Sequence, residues 1–403
     1  MTNCIHLGYK LLKKLAPSPI TQKGKPMSCL QRLQTTRKCS VFTPLPAFIA
    51  LLACCLLPLF ATSDVSASEH WRHQPLPSAN RNPLVQVHDI PEASGVFTLP
   101  KHRIQWSSTF DMASISSQSL GSLPPSANQA NESLLLDGET YRAAFKLRYG
   151  LSEQSDLSIT LPLIAHSGGF ADNAISGWHD IFGLPDGNRA SRPDNSLDYR
   201  YQRNGQNLIE INQSTKGLGD IRFDYRYRIN NDPNDDKSNN DINNTGNSQI
   251  KSLIQMGIKL PTGNQDRLTG SGATTLSTSI QLAQTHMTHA KDWSWHASAG
   301  AIWISGGGLL DKIKNDWGFY GSGGISWQAT DYLTFKMQLE SHTAIYKSNT
   351  DELGHTTGQL VIGLSAKTSP STVIDLYFTE DVVLHSSPDI GIGLAIHRSI
   401  SRH

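Results

Sequence analysis

The segment that decides the fold reads IRFDYRYRI and runs from Ile221 to Ile229. Its odd positions carry apolar or aromatic side chains, namely Ile221, Phe223, Tyr225, Tyr227 and Ile229. Its even positions carry charged side chains, namely Arg222, Asp224, Arg226 and Arg228. Successive side chains of a β-strand point to opposite faces, so this segment predicts a strand with one apolar face and one charged face.

The same alternation recurs along most of the chain, for example in 141–149, 333–342 and 390–397. The complete set of candidate strands is 103–112, 139–150, 155–165, 219–229, 250–261, 273–285, 292–304, 316–328, 331–343, 357–367, 372–380 and 388–400. Short turns alternate with longer loops between them, and an even strand number with this asymmetry is typical of outer-membrane barrels. The prediction is an all-β fold, a transmembrane antiparallel β-barrel of about 12 strands.

A secreted β-sandwich or a soluble barrel is the alternative, because both also alternate apolar and polar positions. The spacing of Trp295 and Trp303 favours the membrane barrel, since eight residues span about 26 Å, close to the distance between aromatic girdles. The segment 230–249, NNDPNDDKSNNDINNTGNSQ, is too long for the short turn that the alternation requires there. Its composition predicts a disordered insertion.

Composition divides the chain into a basic leader and a mildly acidic body. Residues 1–67 hold eight Lys or Arg and one Asp or Glu, and all five cysteines lie in the first 55 of 403 positions. Collagen, coiled coils, disulfide-stapled mini-proteins and helical multi-span membrane proteins are excluded by this composition. The acidic body also argues against nucleic acid as a partner.

The leader has the three parts of a secretory signal peptide. Arg32, Arg37 and Lys38 precede the apolar run PAFIALLACCLLPLF at 46–60, and the small residues of 65–67 follow. This order predicts export with cleavage near Ala67, and initiation at Met27 gives a more usual leader length. The sequence around Cys54 also fits a lipoprotein cleavage box. Residues 68–100 are then a Pro-containing periplasmic lead-in or plug, and residues 101–403 are the barrel.

Several motifs resemble an uncharacterised proteobacterial outer-membrane family that is known as a domain of unknown function. They are Gly169–Arg189 (GFADNAISGWHDIFGLPDGNR), Gly217–Asp220 (GLGD), Gly257–Gly263 (GIKLPTG), Glu380-Asp381 and Pro388-Asp389-Ile390. The resemblance covers roughly Asn82 to Ile400. It implies a barrel in the outer membrane of a Gram-negative bacterium, with outer-membrane lipids and the barrel-insertion machinery as partners. It implies no reaction and no substrate.

A basic face is the first candidate site. The lumen-lining candidates are Arg142, Lys146, Arg148, Arg222, Asp224, Arg226, Arg228, Lys251 and Lys259. Unpaired charges in a narrow lumen are costly, so one interpretation pairs these cations with acids of the opposite wall such as Glu340, Asp375 and Asp381. The other interpretation is an anion-attracting pore or a site for an acidic ligand.

An amphipathic helix in an extracellular loop is the second candidate. Ala171, Ile175, Trp178 and Phe182 recur at helical spacing, and Gly183 with Pro185 ends the run. Its candidate residues are Ile175, Trp178, His179, Asp180 and Phe182. Such a helix either folds back over the barrel mouth, as a gate or lid, or lies at the membrane surface.

Catalysis is the least supported function class. His166, Ser176, His179 and Asp180 share one loop, but their spacing matches no nucleophile motif, and no metal or cofactor motif occurs. The sequence therefore predicts passive transport or binding of a small solute, with an anion suggested by the basic face. The alternatives are a non-transport envelope protein and a lipid-modifying hydrolase at the barrel rim.

Overall fold

The computed structural model describes residues 69–120, 131–182, 192–229, 250–286, 293–382 and 387–400. Within these ranges a single sheet contains β1 (Ile104–Leu120), β2 (Glu132–Ser152), β3 (Ser155–Ser167), β4 (Asp198–Arg203), β5 (Gln206–Ile211), β6 (Thr215–Leu218), β7 (Ile221–Arg228), β8 (Lys251–Leu260), β9 (Thr275–His286), β10 (Trp293–Ile304), β11 (Trp317–Thr330), β12 (Leu333–His342), β13 (Thr357–Ser369), β14 (Thr372–Asp381) and β15 (Ile390–Ile400). Every pairing is antiparallel, and β1 pairs with β15, so the sheet closes into a barrel. The predicted leader 1–67 and the insertion 230–249 lie outside the described residues.

The barrel wall has twelve strands, which confirms the predicted fold class. β6 and β7 pair with successive parts of β3 and form one wall strand, interrupted at Gly219 and Asp220. β4 and β5 form a hairpin that pairs with the start of β2, outside the predicted strand set. β1 and β2 also extend beyond their predicted limits of 112 and 139, to Leu120 and from Glu132.

The two ends of the barrel differ in their connections. The short-turn end holds the tight turns β2–β3, β11–β12 and β13–β14. The long-loop end holds the loops 261–274, 305–316 and 343–356. Two short helices, α1 (Asp172–Phe182) and α2 (Asp351–Gly354), belong to loops at the long-loop end. In the described ranges, no helix combines the length and the apolar content needed to cross a membrane.

Side chains alternate between the interior and the outer surface. On β7, Arg222 and Arg226 are 5% and 6% exposed, whereas Phe223 is 40% exposed. The outer surface carries exposed apolar side chains, including Leu147, Leu157, Met256, Ile280, Trp317, Phe319, Ile325, Trp327, Met337, Leu339, Ile362, Leu376 and Ile392. An apolar exterior around a polar interior is the arrangement that a lipid bilayer requires of a β-barrel.

Residues 69–99, named here the interior segment, run inside the barrel as a two-legged hairpin. Its ascending leg starts at the short-turn end, where the Arg72 guanidinium donates to the carbonyl of Asp331 at 2.9 Å. Three contacts with β12 then share one sequence separation of 262 residues, namely Leu76 with Gln338, Ser78 with Glu340 and Asn80 with His342. Prolines at 75, 77, 83 and 91 remove backbone donors, which explains why the segment is not a further wall strand.

The tip of the interior segment packs into an apolar cluster at the long-loop end. Leu84, Val85 and Val87 belong to this cluster. Its other members include Ile115, Leu134, Leu136, Tyr199, Tyr201, Ile302, Ile304, Tyr346 and Leu353. The descending leg returns to the short-turn end, where the backbone N–H of Leu99 donates to Asp156 at 2.9 Å. Both legs therefore end on the same side of the barrel.

Candidate functional site

The predicted basic face points into the barrel. Arg142, Arg148, Arg222, Asp224, Arg226 and Lys259 are buried, and Lys146, Arg228 and Lys251 are half-buried. Six of the nine candidates line one cavity of about 90 Å³ beside the interior segment, namely Arg142, Lys146, Arg148, Arg222, Asp224 and Arg226. One water needs about 10–15 Å³ in this measure, so the cavity has room for several. Lys259, Arg228 and Lys251 lie elsewhere on the wall.

Glu92 of the descending leg is the centre of an ion network. Its carboxylate lies 3.1 Å from Arg81 of the ascending leg, 3.3 Å from Arg142 and 3.3 Å from Lys146 of β2. Burial by itself raises the pKa of Glu92, but Lys146, Arg142 and Arg81 together outweigh burial and lower the pKa to about 2. Glu92 is therefore ionised at neutral pH, and it holds both legs against β2.

Asp89 extends this network to β7. Its carboxylate lies 3.8 Å from Arg142 and 3.5 Å from Arg222, so Arg142 contacts both acids of the interior segment. The Nε atom of Arg222 donates to Asp224 at 2.8 Å, within the same strand. Asp89 has a positive φ of 53°, which ends the short 3-10 turn Gln86–His88 and redirects the chain into the descending leg.

Asp156 of β3 forms a second, lower network near the short-turn end. It is fully buried, and its carboxylate accepts hydrogen bonds from Arg148 at 2.7 Å and Arg226 at 3.0 Å. The two guanidiniums also donate to the backbone of the interior segment, since both reach the carbonyl of Phe97, at 3.3 Å and 2.6 Å. These two cations therefore bind the descending leg through its carbonyl oxygens.

At the tip, Lys259 of β8 is fully buried. Its ammonium donates to Asp220 at 2.6 Å, to Ser271 at 2.5 Å and to the carbonyl of Val87 at 3.1 Å. The Nε2 atom of His88 forms a hydrogen bond of 2.7 Å with the hydroxyl of Tyr346. Burial, together with Lys259 and Lys314, lowers the pKa of His88 well below its ordinary value, so this ring is neutral. The tip is thus held by neutral hydrogen bonds and one paired lysine.

The ascending leg is also bound by polar side chains of the wall that the sequence analysis did not single out. Gln338 accepts from the N–H of Leu76 at 3.0 Å and donates to its carbonyl at 3.1 Å, so one amide satisfies both backbone groups. Lys336 donates to the carbonyl of Trp71 at 3.0 Å, and the hydroxyl of Tyr377 donates to that of Pro77 at 2.9 Å. The only available signal was their position on the polar face of strands already predicted.

In the described part of the barrel, the basic face does not pair with the acids of the opposite wall that were considered from the sequence. Asp89 and Glu92 come from the interior segment, and Asp111, Asp156 and Asp224 come from the same side of the wall. Glu340 instead accepts from Gln338 and Gln359, and Asp375 accepts from Ser365. Pairing is therefore local, because the interior segment separates the two walls.

The helix α1 packs on the outer surface of the barrel. Ile175 is buried against Ile390, and Met112 and Phe378 pack on the same cluster, all on the outward faces of β1, β14 and β15. Asp180 is exposed. The side chains of Trp178, His179 and Phe182 lie outside the described residues. The described part of the helix therefore lies against the outer face of the wall.

Glu139 fixes the start of this helix. Its carboxylate accepts from the N–H groups of Phe170 and Ala171 at 2.9 Å and 2.7 Å, and from the hydroxyl of Tyr141. Gly169 has a φ of 77°, and a Cβ atom there would lie 1.8 Å from the Glu139 carboxyl carbon. Only glycine therefore allows the loop to approach this carboxylate.

A Ser–His–Asp array spans the seam where the barrel closes. His397 of β15 lies 2.8 Å from the Ser107 hydroxyl of β1 and 2.9 Å from the Asp375 carboxylate of β14. These residue types occur in hydrolytic triads. Ser107, however, lies within β1 with ladder partners on both sides, so its N–H belongs to the sheet and cannot serve an oxyanion hole. We interpret the array as a link across the seam.

The rim residues considered for catalysis have other contacts. Both ring nitrogens of His166 are hydrogen-bonded, to Thr140 at 2.9 Å and to the carbonyl of Leu268 at 3.0 Å, so this histidine holds a loop to the wall. Across the described residues, no group of three His, Cys, Asp or Glu side chains could hold a metal ion.

Solved outer-membrane proteins have similar folds. The COG4313 outer membrane channel from Pseudomonas putida F1 is 11% identical, with a TM-score of 0.47 over 76% of this chain and 98% of that one. The NanC porin is 10% identical, with a TM-score of 0.37 over 74% and 100%. The toluene transporter TbuX from Ralstonia pickettii is 10% identical, with a TM-score of 0.33 over 76% and 90%. At such scores these likenesses carry no conclusion about solute or mechanism.

No curated protein matches this sequence. Residues 49–399 match the family described as "Protein of unknown function (DUF3187)", which confirms the predicted resemblance to an uncharacterised family. The matched range includes the barrel except for its last residue, Ile400, together with the interior segment, α1 and its anchor Glu139. The chain belongs to the DUF3187 family.

Proposed function

We propose that the protein is an outer-membrane channel for a small solute, exported by a signal peptide that is cleaved near Ala67. In the conformation described here, the interior segment closes the channel. One observation supports this proposal: below its tip, both legs of the interior segment are bound to the wall by ion pairs and hydrogen bonds, accompanied by three small apolar clusters around Trp71, Leu76 and Val96. A permanent core is more stable when its contacts are apolar, because buried ion pairs rarely repay their desolvation. Polar contacts, in contrast, can be exchanged for water.

Opening requires the interior segment to leave the lumen. Both of its ends lie at the short-turn end, so the tip can withdraw in that direction while the wall stays closed. The carbonyls now bound by Arg226, Arg148 and Lys336 would be replaced by water on a polar wall. The loss of Asp89 and Glu92 would leave that wall more basic, which favours anions over cations.

The direct test is conductance of the purified protein, after removal of the signal peptide, in planar lipid bilayers. Ser78 of the interior segment donates a hydrogen bond to Glu340 of β12, and all five native cysteines lie in the first 55 residues, within the leader. We therefore expect the double variant S78C/E340C to be silent when oxidised and to open intermittently when reduced. The single variant S78C controls for the thiol itself. Equal conductance in both redox states would contradict gating by the interior segment.

A non-transport envelope protein is the competing interpretation. It predicts no potassium chloride conductance in the wild type or in the reduced double variant, even though both migrate as folded barrels in unboiled samples on SDS gels. Conductance with a reversal potential on the anion side supports the proposal. A reversal potential on the cation side would leave a channel but contradict the anionic solute.

A further inference from the structure

Two carboxylates of the interior segment share one arginine of the wall. Arg142 lies 3.3 Å from Glu92 through one terminal nitrogen and 3.8 Å from Asp89 through the other. Lys146 contacts the second oxygen of Glu92 at 3.3 Å, and Arg222 contacts Asp89 at 3.5 Å. Three wall cations on β2 and β7 thus enclose two carboxylates that differ in position by three residues.

We propose that Arg142, Lys146 and Arg222 form the binding site for a small dicarboxylate solute. Asp89 and Glu92 occupy this site as internal substitutes when the channel is closed. The inference rests on the proposed channel function and names its substrate class. Both terminal nitrogens of a guanidinium can donate to carboxylates, and here each of them faces a separate acid, so a molecule with two carboxylates reproduces the contacts.

The charges around the cavity support a doubly charged ligand. In the described wall next to it, the cations are Arg142, Lys146, Arg148, Arg222 and Arg226. The wall acids that pair with them are Asp111, Asp156 and Asp224. When the interior segment leaves, Arg81 departs from Asp111 together with Asp89 and Glu92, and the wall keeps five cations against three acids, an excess of two positive charges. A dicarboxylate restores neutrality, whereas a monocarboxylate leaves one buried cation unpaired, which is costly.

The same cavity provides space for the ligand. It is lined by Asp89 and Glu92 on the interior segment and by Arg142, Lys146 and Arg222 on the wall. A solute that enters it meets the cations directly and competes with the two side chains for them. Ligand binding and release of the descending leg are then coupled, because both need the same three cations.

Calorimetric titration of the detergent-solubilised full-length protein with succinate tests this site. We expect weak binding to the wild type, and binding at least about tenfold tighter to E92Q, because that variant lacks one internal competitor. R142Q should bind at least about tenfold more weakly than the wild type. E210Q, which alters an exposed acid of β5, should match the wild type. Folding of each variant is checked by gel mobility before and after boiling.

Lys146 gives a second wall variant if R142Q does not fold, since its side chain is 33% exposed. K146Q should also weaken succinate binding, and acetate and inorganic phosphate should bind less tightly than succinate to E92Q. Unchanged affinity in E92Q, or phosphate binding as tight as succinate, would overturn the proposal. Succinate binding with this variant pattern but without conductance would support the site and reject the channel. Conductance without succinate binding would reject the site alone.

Discussion

The guanidinium of Arg81 and the carboxylate of Glu92 lie 3.1 Å apart and join the two legs of the interior segment. The same guanidinium lies 2.8 Å from Asp111 of β1, so one side chain links both legs to the wall. Arg81 therefore joins the two legs of the interior segment to each other and to β1.

Loss of this link should raise the open probability of the channel. R81Q removes charge-assisted hydrogen bonds, each worth about 1.5–3 kcal/mol, so we expect at least about tenfold more open time in bilayer recordings. R200Q serves as the control, because Arg200 pairs with Asp198 where both side chains are partly exposed. Equal open times in R81Q and the wild type would show that the legs are not held by this ion pair.

Acidification should loosen the interior segment only at low pH. The pKa of Glu92 is lowered to about 2 from the ordinary 4.5, since Lys146, Arg142 and Arg81 outweigh the burial that raises it. A lowered pKa stabilises the closed state above about pH 4.5, and this contribution is lost as the pH falls towards 2. We expect constant open probability between pH 7 and 5 and a rise below it. E92Q should lack the Glu92 contribution to this rise in open probability. A rise centred near pH 6 in the wild type would contradict the role of Glu92.

Asp156 should be the most sensitive acid of the barrel interior. D156N leaves Arg148 and Arg226 buried without their carboxylate, and removal of one partner from a buried ion pair costs about 3–5 kcal/mol. The midpoint of urea unfolding should fall accordingly in detergent micelles. D198N provides the matched control and should cost less than about 1 kcal/mol, because its pair with Arg200 is partly exposed. Similar losses in both variants would disprove this role of Asp156.

Two glycines of the α1 region should respond in opposite ways to alanine. G169A places a Cβ atom against Glu139 at a φ of 77°, so we expect a cost of about 1–3 kcal/mol and faster proteolysis of the loop. G177A adds a Cβ atom in open space within the helix and should stabilise it by about 0.5–1 kcal/mol. Slower cleavage of G169A than of the wild type would contradict the anchor.

The lipid-facing surface can be tested with arginine. Met337 is exposed on the outer face of β12, and M337R should cost about 2–4 kcal/mol for refolding into vesicles. Val382 is equally exposed but follows β14 at the long-loop end, so V382R should refold almost normally. Equal refolding of both variants would place the membrane elsewhere along the barrel.

The strands of the wall could be predicted because each residue of a barrel strand faces either the lipid or the interior, and its polarity matches the side that it faces. The β4–β5 hairpin was missed, although Asn204-Gly205 between two alternating runs is a hairpin signal. Both residues have positive φ values, 50° and 76°, as such a turn requires. Each strand of this hairpin has six residues, fewer than the wall strands, so its alternation is a weaker signal.

The basic face of the candidate site could also be predicted, but its partners could not. Asp89 and Glu92 lie in a Pro-containing segment without periodicity, and their contacts with Arg142 and Arg222 join residues 50 to 133 positions apart. No local pattern encodes such a contact. The path of the interior segment follows from side chains such as Gln338, whose role depends on where the barrel places them.

The arrangement of the interior segment also has a topological consequence for assembly. Because its two ends leave the barrel on one side, the chain is not threaded through the ring of strands. Closure of β1 onto β15 and insertion of residues 69–99 can therefore occur in either order, with no need to reopen the seam. The wall does not depend on its contents for its connectivity. The same ring could thus be emptied and refilled many times during the life of one molecule.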